Sequence, residues 1–336
     1  MVPDSEDLET PEGGAGVPGR VVVIGSSVMD VVGRPQTALA AGTSSPGQVR
    51  MSPGGVARNV AENLARLGVE VSLMTAVGDD PAGRQLLELA SEVGIDVHHA
   101  LTVIGSRTGV YLAMLTAQGG LHLALDDMGV VQALTPEYFE DRRSALEGAQ
   151  AIFLDANLPV QSVAAVIKRA RLANVPIAAD PTTVLLAENL RPHLRDLWLI
   201  TPNEAEAEVL CPRPVPHDDR DPLRDPLRDA KRNRAVDAAR RLVAEGVEIA
   251  LVTMAEFGVG YATVETSGHV PARQTEVLDP TGAGDAQTAA VLFGLLNGIP
   301  LDESVRLGTS AAALTLRTPG SVVPNLSLEL LYDELR

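Results

Sequence analysis

The chain has 336 residues, a formal net charge of −17, 3% aromatic residues and one cysteine. That length suits one large α/β domain with an appendage, or two modest domains, with a core built from Ala, Val, Leu and Ile. The acidity argues against nucleic acid as a partner, and a single cysteine excludes an internal disulfide or a multi-cysteine zinc site and points to the cytoplasm. No apolar run is long enough to span a bilayer.

The first twenty residues are acidic and rich in Gly and Pro, and residues 1–20 read as a disordered tail. Residues 21–25 form an apolar run closed by glycine, as expected of a buried parallel strand. Asp30 follows at its carboxyl end, where ligands bind in open α/β sheets; a turn cap fits it as well. Residues 33–53 read as loop with a short strand. Val56, Val60, Leu64 and Leu67 keep a helical stripe that stops at Gly68. Gly54-Gly55 ahead of it permits unusual dihedrals. Within that helix Arg58 reads as a surface residue and Asn59 as either solvated or part of a site.

Residues 69–77 give a second strand, 78–83 a loop and 84–93 a helix ended by Gly94. This β-α-β-α order implies a parallel sheet. Short strands at 97–102, 109–115 and 121–125, with a hairpin at Gly119-Gly120, interrupt it and predict a small antiparallel sheet placed as a lid. Strands at 151–155, 176–180, 197–200 and 249–253 end in or lead to Asp155, Asp180, Asn203 with Glu206, and Thr253. With Asp30 these make five polar strand ends on one edge, which predicts a polar cleft. The repeated Asp-Pro-Leu-Arg marks 211–234 as a low-complexity surface insertion. A hairpin follows at 257–271, and helices at 301–316 and near 327–335.

Before those last helices, Gly282-Ala283-Gly284 runs into Asp285 and a helix of small apolar residues. The first amides of such a helix have no internal partners and carry positive dipole character, so the turn can cradle an anion. Asp285 itself fits an N-cap or a base acting on a hydroxyl. A capped turn and an anion cradle both remain open from these residues alone. The spacing is not the Gly-x-Gly-x-x-Gly of a dinucleotide fold, because Gln287 stands at the third glycine.

Taken together, the segments resemble the ribokinase-like, or PfkB, family of carbohydrate and nucleoside kinases from about Val21 to the C-terminus. Gly54-Gly-Val-Ala-Arg-Asn59 and Asp279-Pro-Thr-Gly-Ala-Gly-Asp285 look like its two signatures, and Asn203-Glu-Ala-Glu206 like its Asn-x-x-Glu motif. The resemblance implies a three-layer α/β/α fold with a mainly parallel sheet, spanning 21–336, and a small β-sheet lid formed by about 33–53 and 97–128. It implies ATP as donor, with Asp285 as catalytic base and the amides of Gly282, Ala283 and Gly284 as anion hole. Asp30 would grip sugar hydroxyls, aided by Gly54, Gly55 and Asn59. Asn203 and Glu206 would organise Mg²⁺ and its water, and the loop from Thr253 to Gly258 would approach the nucleotide phosphates. Asp279 and Thr281 fall where many relatives hold a monovalent cation such as K⁺.

Two positions depart from the family pattern. Val28 stands where asparagine is common, and Ala255 where glycine is common. Further stretches, among them 124–128, 134–138 and 155–157, look most like the pseudouridine kinase branch. The expected reaction is therefore phosphorylation of the 5′-hydroxyl of pseudouridine, with Thr108, Tyr111, His122 and Asp126 offering contacts from the lid. A ribokinase-type sugar kinase is the alternative, a non-catalytic sugar or nucleoside sensor is a second, and a dinucleotide-dependent oxidoreductase is a third that lacks the glycine spacing. The partners implied are a small-molecule substrate and, through exposed lid strands, a second copy as a homodimer.

Overall fold

The structure, a computed structural model, describes residues 19–39, 42–212 and 226–336. Its centre follows from apolar runs whose two faces are both shielded. In the strand β1 (Val21–Ile24), Val22 and Ile24 join one apolar cluster while Val21 and Val23 join another. Successive strand side chains point to opposite faces, so a continuous apolar run is what a sheet covered on both sides requires.

After β1 come β2 (Val28–Pro35), β3 (Gly47–Gly54), α1 (Val56–Arg66), β4 (Val71–Met74), β5 (Ala76–Gly78), α2 (Pro81–Glu92), β6 (Leu101–Val103), β7 (Val110–Leu115) and β8 (Leu121–Asp127). The α/β alternation then resumes with α3 (Pro136–Asp141), α4 (Arg143–Glu147), β9 (Ala151–Asp155), α5 (Val160–Ala173), β10 (Ile177–Asp180), α6 (Val184–Ala187), β11 (Leu199–Ile200), α7 (Glu204–Leu210) and α8 (Pro226–Ala244). The chain finishes with β12 (Ile249–Thr253), the hairpin β13 (Val259–Ala262) and β14 (Ser267–Val270), then α9 (Ala283–Leu296), α10 (Leu301–Leu316) and α11 (Leu328–Leu335). Residues 1–18 of the acidic start and 213–225 of the Asp-Pro-Leu-Arg stretch lie outside the described residues. The second part of the expected 211–234 insertion is regular structure, since α8 begins at Pro226.

The main sheet has the order β14-β13-β12-β11-β10-β9-β1-β4. From β4 to β12 the neighbours run parallel, and the β13–β14 hairpin closes the far edge antiparallel. Residues of α1, α9 and α10 cover one face, and residues of α5, α7 and α8 the other. This is a three-layer α/β/α fold with a mainly parallel sheet.

A second sheet, ordered β3-β2-β7-β8, stands beside the first. Here the structure differs from the expectation. Residues 28–35 and 47–54 are two eight-residue strands in unbroken antiparallel register, from Val28↔Gly54 to Pro35↔Gly47, so the stretch read as loop with a short strand holds the end of β2 and the whole of the edge strand β3. Asp30 sits within β2 and not at the end of β1. The sheet is also not wholly antiparallel, because β2 and β7 run parallel. Only a tight hairpin forces antiparallel pairing; β7 reaches β2 by way of α2 and β6, and enters in the same direction. Strand β6 pairs with β5 in a sheet of two and takes no part in the larger ones.

Phe153 lies in the middle of β9 and is fully buried in the cluster shared with α1 and α9. Phe153→Ala should destabilise the protein by about 3–5 kcal/mol, read as a lower midpoint in urea denaturation without a change in slope.

Candidate active site

The glycine turn at 282–284 opens α9, as its composition demands. Gly282 is the N-cap with φ 79°, and a Cβ there would meet the Ser321 carbonyl oxygen at 2.1 Å. The first intrahelical bond is Ala286 N–H to Gly282 O, so the amides of Ala283, Gly284 and Asp285 precede the ladder. Space is open above Gly284, where a Cβ would meet nothing within 4 Å. From Ala286 to Gly294 the helix is buried on all sides, which suits a run without a polar stripe. Asp285 is therefore in the first turn of the helix and is not its N-cap.

Asp285 faces α1. Its Oδ2 accepts a hydrogen bond from Asn59 Nδ2 at 2.7 Å. Asn59 is buried, so the solvated reading fails; its Oδ1 accepts from the Ser321 hydroxyl at 3.0 Å. Arg58 is buried too, contrary to its reading as a surface residue, and is paired with Glu62. The reason is that α1 packs against the main sheet and against its neighbour α9, so even its charged side chains are covered. Burial, and then the nearby Asp155, push the Asp285 carboxyl up to about 6, against the lowering effects of the Asn59 hydrogen bond and of Arg58.

Asp30 projects from β2 toward the same place. Gly54, opposite on β3, leaves room for it: a Cβ at Gly54 would sit 2.2 Å from the Asp30 carboxyl oxygens. Gly55, with φ 96°, turns the chain from β3 into α1. Asp30 is 3% exposed, and among the described residues no hydrogen-bond donor reaches its carboxylate. Burial first, then Asp285 and Asp279, push its pKa up to about 7, with Arg58 and Arg50 acting the other way. The strand register places Ser52, Asp30, Tyr111 and Asp126 in one row across the small sheet. Burial, then Asp30 and Asp126, raise the Tyr111 hydroxyl.

Thr108 is not part of this row. Its hydroxyl donates to Asp80 Oδ1 at 2.6 Å and accepts from Gly78 N–H at 3.0 Å, so it secures the start of α2 and contributes no contact facing Asp30. Val28 is fully buried and packs against Gly109.

Asp180, Thr201 and Thr253 line the carboxyl edge of β10, β11 and β12. Asn203 and Glu206 form a reciprocal capping box on α7, with Asn203 N–H donating to Glu206 Oε2 at 2.9 Å. Burial raises Glu206. Asp180 is pushed well up by burial, then by Asp285 and Glu206, so a line of carboxylates joins the two sides of the cleft. Asn203 bridges to Thr253, which brings in the loop ending at Gly258. In that loop Ala255 has φ 45°. The left-handed conformation that glycine adopts freely is thus kept by a residue with a Cβ, at a cost of roughly 1 kcal/mol.

Asp279 is buried and ion-paired with Arg50 of β3. Burial alone would raise its pKa, but the Thr281 amide at 3.0 Å and Arg50 outweigh it and hold the carboxylate below its usual range. Arg50 and Ser321 carry no motif in the sequence and were not anticipated. The strand alternation that pairs Arg50 with Val32, two residues on from Asp30, is the one signal that could have found the former.

Because the folded protein holds protons on Asp30 and Asp285 that the unfolded chain releases near 3.8, stability falls as pH rises from about 4 to 7. Asp30→Asn should therefore gain on the parent through that range, by about 4 kcal/mol at pH 8. Urea titrations at pH 4.5 and 8, taken as approximate test points, check this; a pH-independent difference contradicts it.

Comparison with known proteins places this arrangement. The family model described as pfkB family carbohydrate kinase matches residues 19–327. A pseudouridine kinase from Escherichia coli (strain K12) is 31% identical over 309 residues, covering 92% of this chain and 94% of that protein. A guanosine-inosine kinase from Exiguobacterium acetylicum is 28% identical, covering 91% and 98%. Among solved structures, a carbohydrate kinase from Agrobacterium tumefaciens superposes with a TM-score of 0.77 at 29% identity, covering 94% and 97%. With both glycine-rich turns meeting at one cleft and the family model matching nearly the whole chain, the protein belongs to the pfkB family of carbohydrate kinases.

Proposed function

We propose that this kinase transfers the γ-phosphoryl group of ATP to the 5′-hydroxyl of a nucleoside, and that the nucleoside is pseudouridine. The observation that carries the reading is the pair of buried carboxylates at the mouth of α9: Asp285, with one oxygen held by Asn59, and Asp30, with no donor on it among the described residues. Asp30 accepts hydrogen bonds from ribose hydroxyls. Asp285 takes the proton of the 5′-hydroxyl as that oxygen bonds to the γ-phosphorus. The bond from phosphorus to the bridging oxygen breaks, and ADP leaves. The amides of Gly282, Ala283 and Gly284 stabilise the charge on the transferred group, and open space above Gly284 leaves room for it.

Thr253 and Gly258 border the nucleotide beside Asn203. The donors on that side are carboxylate oxygens, which suit a hard cation. Glu206, with Asp180 behind it, would hold Mg²⁺ through water, and the ion would supply charge neutralisation on the phosphates. Potassium has no part in the proposal, since Arg50 neutralises Asp279 beside Thr281.

The choice of pseudouridine rests on the 31% identical relative and on the row Asp30–Tyr111–Asp126. Tyr111 offers a wall for a base. Pseudouridine carries a free N1–H that uridine lacks, and a carboxylate such as Asp126 accepts it. The buried and free Cys211 is in keeping with a cytoplasmic enzyme.

An ADP-release assay over ribose, adenosine, uridine and pseudouridine tests the acceptor: pseudouridine should give the highest kcat/KM, and preference for free ribose overturns the choice. Asp285→Asn should bind nucleotide normally while kcat falls at least about 1,000-fold.

We further propose a homodimer through the small sheet. The face opposite Asp30 carries Val49, Met51, Leu112, Leu123 and Leu125, all exposed. An apolar face of this kind marks an interaction surface, and a self-complementary sheet face is suited to a two-fold partner. Light scattering should give twice 35.2 kDa for the parent and half of that for Leu125→Lys; a monomeric parent refutes the dimer.

A further inference from the structure

The buried arginine of α1 has no part in the chemistry above, yet it touches the residue that holds Asp285. Arg58 is 5% exposed; its Nη1 donates to Asn59 Oδ1 at 3.0 Å, and its Nη2 pairs with Glu62. Glu62 is gripped from its other side by Arg66, whose Nε and Nη2 lie 2.9 and 2.6 Å from Glu62 Oε1. Arg66 also donates to the Pro324 carbonyl. One carboxylate is shared between two arginines, so positive charge stays in excess on this stretch of helix.

The consequence falls on Asn59. An amide has an accepting end and a donating end, and its rotation decides which meets a neighbour. The Asn59 oxygen takes Arg58 Nη1 and the Ser321 hydroxyl, both at 3.0 Å; that hydroxyl is shared with the Pro53 carbonyl at the same distance. With donors on the oxygen, the NH₂ end is directed at Asp285. A flipped amide would set oxygen against carboxylate, which is repulsive.

We propose that Arg58 is a positioning residue for phosphoryl transfer: it locks the Asn59 amide so that one oxygen of Asp285 is held and the other is left for the acceptor hydroxyl. This rests on Asp285 being the base. Among charged groups, Asp155 from β9 raises Asp285 and Arg58 from α1 lowers it, while Asp285 in turn raises Asp30 of β2 and Asp180 of β10. Arg58 is the cation set against three carboxylates in that group.

The test is the pH profile of kcat/KM for the parent, Arg58→Gln, Arg58→Lys and Ser321→Ala, with Asp285→Asn alongside. Arg58→Gln should lower kcat about 10–100-fold with KM for ATP little changed, and move the acid limb up by about one pH unit. Arg58→Lys should restore the limb without restoring the rate. Unchanged kcat, or a fall in kcat with the limb unmoved, overturns the proposal, the second outcome marking a merely structural arginine. If Arg58→Gln does not fold, Ser321→Ala decides: removing a donor from the same amide oxygen should lower kcat about 3–10-fold, and no change refutes the lock. Retained turnover in Asp285→Asn defeats the base assignment itself, independently of the Arg58 variants.

Discussion

The site depends on one hydrogen bond between two helices, from Asn59 of α1 to Asp285 of α9. Each helix begins at a glycine turn that brings its first residues close to other chain. The bond therefore joins the stretch after β3 to the stretch after Thr281, which are separated by more than two hundred residues in sequence. It also fixes a carboxylate in a place poor in water. There an unpaired charge is costly, and the single amide donor lowers that cost without removing it.

Burial is the common cause behind the electrostatics of the cleft. Asp30, Asp155, Asp180, Glu206 and Asp285 are all raised first by desolvation, with mutual repulsion added for Asp30, Asp180 and Asp285. Asp155 differs from the others in role. Its oxygens accept from Ser26 N–H, the Ser26 hydroxyl, Ala57 N–H and Asn157 N–H, so it ties β1 to the start of α1. Among the described residues Asp30 has no such partners. A carboxylate kept buried with nothing of the protein to bind opposes folding, and such groups persist where a ligand provides the missing donors.

Several features were legible from residues alone because local rules govern them. Gly68 and Gly94, read as helix stops, follow α1 and α2 with positive φ. The apolar runs of β1, β9 and β12 announced a sheet covered on both faces, and Gly282 to Asp285 announced a turn into a buried helix. The left-handed backbone at Ala255 matches the family resemblance, in which glycine is common at that position. Where reading failed, the pattern was diluted. Residues 33–53 contain Gly, Pro, Ser and Thr in number, and one face of their strands is exposed, so neither periodicity nor composition stood out. Thr108 looked like a lid contact, but Asp80 claimed its hydroxyl from another element.

The sequence by itself determined the parallel α/β alternation of the main sheet and the two glycine turns, because these follow from side-chain periodicity and backbone freedom within a few residues, while the three-layer arrangement came through the family resemblance. Only the tertiary structure decided that Arg58 is buried, that Arg50 of the small sheet meets Asp279, that Ser321 reaches Asn59 and that Asp30 shares a row with Tyr111 and Asp126. Those contacts join distant stretches, and their energy comes from removing charges and amides from water together. Spacing along a chain carries no record of which groups will be dehydrated side by side.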